Sequence, residues 1–299
     1  MSRRVRICTI SMNAELYRRE STREDLLTAA EAKIKRGALD KPDLFLLPET
    51  FLVSPGAGRY QKEDNIDQAG NIVYERLGSA ARSHNAYVVA PLILRKGDKV
   101  HNATVIFDRT GEPVFEYYKT YPAPREAEHG ICPGPSKPDT FDADFGRLGL
   151  AICFDLNFQP LLRHYYDQGV ELLLFPTYFP GGMLLQTWCY LYNFYAVSSH
   201  AQGYESVFID NMGFEVARAD MFAQTLTHEF ELDSVVVPIN TERMRPAKEK
   251  YGPELEIEMH RPEGQAILRY RGGETTAKDI LREFDIPTKA ERFENKHLL

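Results

Sequence analysis

The sequence predicts an α/β fold, a four-layer α-β-β-α sandwich with a C-terminal arm. Three observations point to it. Apolar strand-like runs alternate with helical periodicities, hairpin signals interrupt that alternation, and the charge density rises after Thr241. Alternation alone suits a parallel sheet covered by helices, while hairpins add antiparallel pairs. Together they favour two sheets face to face with helices outside over an all-parallel barrel.

The elements follow in order. Residues 4–10 (RVRICTI) alternate as a strand does, and 20–36 carry apolar and charged residues at helical spacing until Gly37. DLFLLPE is an apolar run of the kind buried on both faces. A helical stretch at 70–84 precedes the strand AYVVAPLIL at 86–94, and HNATVIF and EPVFEYYK form a hairpin across an Asp-Arg-Thr-Gly turn. RLGLAICF is a strand ending at Cys153, followed by a helix near 159–168, the strand VELLLFP and a helix over 184–197. Paired strands at 205–210 and 214–218 flank Asp210-Asn211-Met212-Gly213, and HEFELDSVVVP reads as one closing strand. The last 59 residues hold 12 acidic and 12 basic side chains, with strand signals in ELEIEM and QAILRYR and a short helix at 277–284. Dense mixed charge with scattered Leu, Ile and Phe suits a polar interface, so 241–299 is expected to be an arm used in oligomerisation.

Composition narrows the function. A hydrophobic fraction of 43% with 26% charged residues is ordinary for a globular protein, and a net charge of −7 without a basic stripe argues against a nucleic-acid partner. The apolar stretch after Arg6 is too short for a signal sequence and no run reaches the roughly 20 residues of a membrane span, so a cytoplasmic protein without a membrane partner is expected. Four scattered cysteines without a CxxC pair suggest free thiols, and eight dispersed histidines without HxH or HExxH spacing give no metal site. Neither metal nor cofactor is expected.

Three chemically distinct side chains stand at the ends of separate strand-like runs: Glu49 in LFLLPET, Lys119 in VFEYYKT and Cys153 in RLGLAICFD. A thiol is a weak nucleophile until a base takes its proton, a carboxylate can do so, and an ammonium can hold the oxyanion formed on attack. A cysteine after an apolar strand is commonly an inert buried thiol. Strand C-termini of α/β folds, however, open into the crevice where ligands bind, and Phe154-Asp155 marks a turn whose N–H groups can face a carbonyl. Leu46, Leu47 and Phe51 surround Glu49 with apolar groups, which makes a carboxylate a better proton acceptor. Tyr117, Tyr118 and Tyr121 imply partial burial of Lys119, and a buried ammonium needs partners. A papain-like protease would need a histidine paired with the cysteine, and none lies in a matching segment.

LFLLPET, HNATVIFDRTGEPVFEYYKTYP and TFDADFGRLGLAICFD resemble the three signature regions of the nitrilase superfamily, the carbon-nitrogen hydrolases, and the likeness continues through ELLLFPT and ESVFIDNMGFEVARAD, over about residues 4–240. That resemblance implies an α-β-β-α sandwich for a carbon-nitrogen hydrolase domain at 1–240, a Glu49-Lys119-Cys153 triad, and association through the helices next to the cysteine, as a homodimer or higher even homo-oligomer. It also implies a second glutamate shortly before a Pro-Gly. In REAEHGICPG, Glu128 before Pro133-Gly134 fits best, and Glu126 competes for the place.

The loops 51–60, 120–132 and 177–183 surround the triad. They contribute Tyr60, Tyr121 and Tyr178 as candidate substrate-binding residues, with Phe154 and Asn157 just past the cysteine. Leu156 and Asn157 stand where carbamoyl-amino-acid hydrolases carry arginines, and Phe154-Asp155 differs from the Trp-Glu of true nitrilases. The function implied is amidase-type hydrolysis of a small-molecule linear amide through a cysteine thioester. An N-carbamoyl amide hydrolase, a nitrilase, or an amide or acyl transferase using the same thioester are the alternatives.

Overall fold

A computed structural model describes residues 3–12, 21–54, 60, 62–201, 204–220, 222, 224–273, 275–289 and 291. Residue 20 of the first predicted helix, 55–59 of the loop after Glu49, and 292–299 lie outside them. In chain order the first half runs β1 (Arg4–Ile10), α1 (Arg23–Gly37), β2 (Leu44–Leu46), α2 (Ile72–His84), β3 (Tyr87–Lys96), β4 (Lys99–Phe107), β5 (Pro113–Tyr118) and the short α3 (Pro124–Glu128). The second runs β6 (Phe141–Ala143), β7 (Gly146–Leu150), α4 (Gln159–Asp167), β8 (Leu172–Thr177), α5 (Gly182–Tyr192), β9 (Tyr195–His200), β10 (Val207–Ile209), β11 (Glu215–Arg218) and β12 (Thr225–Glu231). β13 (Ser234–Pro238), α6 (Thr241–Tyr251), β14 (Leu255–His260), β15 (Gln265–Tyr270) and α7 (Ala277–Glu283) complete it.

Two six-stranded sheets have the orders β12-β1-β2-β3-β4-β5 and β11-β10-β9-β8-β7-β6. Each has a parallel centre, β1-β2-β3 and β7-β8-β9, extended by antiparallel strands. Central parallel strands are covered on both faces, which is why LFL and LLLFPT are unbroken apolar runs, buried at every position. The inner faces meet through hydroxyls: Thr9 Oγ1 donates to the Ser198 carbonyl at 2.6 Å and Ser199 Oγ to the Ile10 carbonyl at 2.6 Å. Helices cover the outer faces. Leu26, Ala30 and Ile34 of α1 and Val73 and Leu77 of α2 pack with Phe45 and Val88, while Leu161 and Tyr165 of α4 and Leu185 and Trp188 of α5 pack with Leu173 and Phe175. The expected α-β-β-α sandwich is the observed fold.

Local chemistry explains the boundaries. Thr22 caps α1 in a reciprocal pair with Asp25, accepting from its N–H at 3.1 Å while Asp25 Oδ2 accepts the Thr22 N–H at 2.8 Å. Gly37 does not stop that helix by adopting a left-handed conformation. A Cβ there would lie 2.5 Å from Cys8 Sγ, so glycine is needed for helix-to-strand approach, and the left-handed residue is Lys41, four positions on. The predicted helix 184–197 ends early, because Asn193 is left-handed and its amide donates to the Asn211 carbonyl at 2.9 Å. The following YAVSSH is the buried strand β9, whose serines and histidine hid it from a hydropathy reading. HEFELDSVVVP is two strands in different sheets. Asp233 sits at the break, and its carboxylate accepts the Ala277 N–H at 3.0 Å at the start of α7.

The chain divides into two compact units, residues 6–228 and the described residues of 1–5 with 229–299. The second has its own three-stranded sheet, β13-β15-β14, and its own core of Val237, Met244, Leu255, Leu268 and Ile280. Among the described residues no helix is long and apolar enough to cross a membrane, and all four cysteines are unpaired.

Candidate active site

Glu49 lies three residues beyond β2, Lys119 one beyond β5 and Cys153 three beyond β7. The Glu49 and Lys119 side chains are 2% and 1% exposed, and Lys119 Nζ donates to Glu49 Oε1 at 2.9 Å. A second carboxylate completes the cation's surroundings: Lys119 Nζ lies 2.8 Å from Glu126 Oε2. Asn102, buried on β4, binds the two acids together, its single NH2 group donating to Glu49 Oε1 at 2.8 Å and Glu126 Oε1 at 2.7 Å. The Asn102 backbone carbonyl also accepts the Lys119 backbone N–H at 2.8 Å.

Burial alone would pull the Lys119 ammonium down, and the Glu49 and Glu126 charges outweigh it and hold its pKa above the ordinary lysine range. Burial likewise acts to raise Glu126. Attraction to Lys119 and hydrogen bonds from Lys119, Asn102 and the Ala123 N–H leave it below the usual carboxylate range. The cation therefore stays charged between two anions.

The glutamate that reaches Lys119 is Glu126 and not Glu128, the residue favoured from the sequence. Glu126 is the buried residue of α3, its Oε2 accepting the Ala123 N–H at 2.7 Å, whereas Glu128 is exposed two residues further along the same helix. A two-residue step on a helix turns a side chain to the opposite side, so only one of the pair can reach Lys119. Gly134 of the Pro-Gly pair has a physical reason as well. Its N–H donates to the Lys119 carbonyl at 2.8 Å, and a Cβ there would lie 2.1 Å from the Tyr118 carbonyl oxygen.

Cys153 opens a short 3-10 turn at residues 153–157 with φ of 49°, a left-handed conformation unusual for a residue with a Cβ. The Tyr178 N–H donates to Glu49 Oε2 at 3.1 Å, which fixes the second oxygen of that carboxylate just past the end of β8. Burial, then the Glu49 charge, push the thiol up to about 12, with Lys119 pulling the other way. At neutral pH the resting sulfur carries its proton. Asp155 is fully buried beneath this turn, and burial pushes its carboxyl up to about 7 against the pull of Lys119.

The remaining candidates divide. Tyr121 stacks on Phe158 with ring centres 3.8 Å apart, and Phe154 meets Phe158 edge-on at 5.4 Å, forming an aromatic wall next to Cys153 in the chain. The Tyr178 hydroxyl lies 3.4 Å from Thr50 Oγ1, beside Glu49. Asn157 is exposed and its amide donates to the Phe154 carbonyl at 3.0 Å, an arrangement that closes the turn. Tyr60 is buried in a separate cluster with Val53, Ile93 and Ile131, which accounts for its side chain by packing. Asn102 and Asp155 are the polar residues that sequence reasoning did not single out. Their signal is an amide inside the apolar run HNATVIF and an acid two residues past Cys153. Among the described residues no group of three His, Cys, Asp or Glu side chains is placed to hold a metal.

Residues 4–202 match the family model described as carbon-nitrogen hydrolase. A deaminated glutathione amidase of Dictyostelium discoideum is 28% identical over 176 residues, 53% of this chain and 60% of that protein. A human omega-amidase is 27% identical over 168 residues, with the same two coverages, 53% and 60%. The chain thus spans about three-fifths of the length of these curated relatives. A mutant of the Nesterenkonia AN1 amidase from the nitrilase superfamily shares the fold, with a TM-score of 0.67 at 19% identity over 76% of this chain and 90% of that one. With two thirds of its length in the family match, the chain belongs to the carbon-nitrogen hydrolase family.

Proposed function

We propose that the protein hydrolyses the carbon-nitrogen bond of small linear amides, with Cys153 as nucleophile, Glu49 as base and Lys119 as oxyanion partner. The observation that carries this reading is the convergence on Glu49: one oxygen meets Lys119 Nζ at 2.9 Å, the other accepts the Tyr178 N–H at 3.1 Å, and the charges of Glu49 and Lys119 both act on the Cys153 thiol. The family match and the amidase names of the relatives support it.

Because the thiol rests protonated, proton removal accompanies attack. Glu49 takes the S–H proton as sulfur bonds to the amide carbon, and the oxyanion is held by Lys119 Nζ and the Phe154 N–H at the start of the 3-10 turn. The tetrahedral adduct collapses, the C–N bond breaks, and Glu49 returns the proton to the departing ammonia or amine. Water then attacks the thioester with Glu49 as base, and the acid leaves as the proton returns to sulfur. The aromatic wall of Tyr121, Phe154 and Phe158 suits an acyl chain with apolar surface.

Ammonia release from a panel of small amides, carbamoyl compounds and nitriles tests the reading. Turnover of nitriles or carbamoyl compounds without turnover of amides would defeat it. We also propose a homodimer or higher even oligomer in the cytoplasm. Met183 and Leu191 on α5 are 81% and 47% exposed, an apolar face that suits a second copy, and four unpaired thiols suit a reducing compartment. A monomeric mass by light scattering would refute the assembly.

A further inference from the structure

We propose that Asp155 is a positioning residue of this reaction, a buried carboxyl that ties the strained cysteine turn to the chain segment bearing Lys119. The inference rests on the amide-hydrolase reading above. Asp155 Oδ2 accepts the Ile152 N–H at 2.9 Å and the Tyr117 hydroxyl at 2.7 Å, and its Oδ1 accepts the Tyr121 N–H at 2.7 Å. Ile152 immediately precedes Cys153, while Tyr117 and Tyr121 stand two residues before and two after Lys119. One side chain thus joins the nucleophile's segment to both flanks of the cation's segment.

The turn needs such a hold. A left-handed residue with a Cβ is strained and persists only where its surroundings over-determine it. Asp155 bonds back across the turn twice, by its own N–H to the Ile152 carbonyl at 3.1 Å and by Oδ2 from the Ile152 N–H, so that Cys153 and Phe154 are enclosed between two hydrogen bonds. The same carboxyl sets the Tyr121 backbone, and with it the exit of the chain from Lys119. Protonation does not undo the arrangement. A proton on Oδ2 can point to the Tyr117 oxygen, whose own hydrogen turns to Thr120 Oγ1 at 3.3 Å, and both backbone N–H groups keep an acceptor. An amide at this place cannot do the same. Its oxygen serves one N–H and its NH2 group opposes the other: with the oxygen in the Oδ2 place the Tyr121 N–H is left unpaired, and with the NH2 group there the Ile152 N–H is.

Asp155→Asn therefore breaks the link on one side, at the cysteine turn or at the Lys119 segment, at nearly constant volume. The test is steady-state ammonia release by the full-length parent and variant, with the rate of Cys153 alkylation by iodoacetamide read in parallel by peptide mass. Displacement of a reacting group by about 1 Å is worth about 10²-fold, so kcat should fall about 100-fold with KM within about threefold of the parent, and alkylation should slow about tenfold. A folded variant with kcat within threefold of the parent, or a loss confined to KM, overturns the proposal. Should Asp155→Asn not fold, Tyr117→Phe decides. It removes one donor of three and should lower kcat three- to tenfold at unchanged KM, and a parent-like kcat overturns the proposal. If the parent releases ammonia from no amide, the hydrolase reading fails by itself. The alkylation rates then still judge the brace, equal rates in parent and Asp155→Asn overturning it.

Discussion

Glu126→Gln separates the buried acid from its exposed neighbour. Glu126 is 4% exposed in its side chain and touches Lys119 at 2.8 Å, where the attraction is roughly 6 kcal/mol at an effective dielectric of about 20. Most of that offsets the desolvation of both groups, and breaking a buried pair on one side costs about 3–5 kcal/mol. Glu49 still faces Lys119 in the variant and the glutamine keeps the volume, so a loss of about 3 kcal/mol is expected. The catalytic effect follows from the same contact. With one anion gone, Lys119 draws harder on Glu49 and weakens it as a base, and loss of a general base costs about 10²- to 10⁴-fold. We expect kcat about 100-fold lower with KM little changed. Urea unfolding should show a lower midpoint at constant slope, and ammonia release gives the rates. Glu128→Gln, at an exposed position, should stay within about 0.5 kcal/mol and near parent activity. Parent-like kcat in Glu126→Gln together with inactivity of Glu128→Gln would refute the reasoning and restore the sequence-based assignment.

Other outcomes follow from the same contacts. Cys153→Ala should abolish turnover while far-UV circular dichroism stays that of the parent. Lys119→Ala should lower kcat by about 10²- to 10³-fold, the value of one oxyanion donor, and a variant altered only in KM would indicate a binding role. The Cys153 thiol is raised from 9.0 to about 12, so folding favours its protonated form. That contribution is complete below pH 9 and is lost as pH climbs from 9 toward 12. Urea midpoints at pH 7.5 and 10.5 should therefore drop more in the parent than in Cys153→Ala, and equal drops would contradict the shift. Met183→Glu on the apolar face of α5 should reduce the mass measured by light scattering, and an unchanged oligomer would place the interface elsewhere.

The strands before Glu49 and Cys153 were readable because strands at a parallel sheet centre write themselves as apolar runs, and the half-exposed edge strand before Lys119 was readable from its hairpin turn. β9 was not, since YAVSSH is buried with two serines and a histidine whose backbone and hydroxyl contacts only the fold supplies. Glu126 and Glu128 both stand before Pro133-Gly134, and only the five-residue helix α3 decides which one turns inward. Asn102 lay unmarked inside a strand pattern, because its importance comes from two acids that reach it from distant parts of the chain. The region after residue 240 read as a charged arm, since its surface charge masks a small core of Met244, Leu255, Leu268 and Ile280, and Pro246 obscures the helix α6.

Rapid acid quench during turnover of a small amide, followed by intact and peptide mass measurement, tests the central claim directly. The account predicts a mass increase equal to the acyl group less one hydrogen, located on the peptide that contains Cys153. Sustained turnover with no such adduct, and parent-rate hydrolysis by Cys153→Ala, would contradict it.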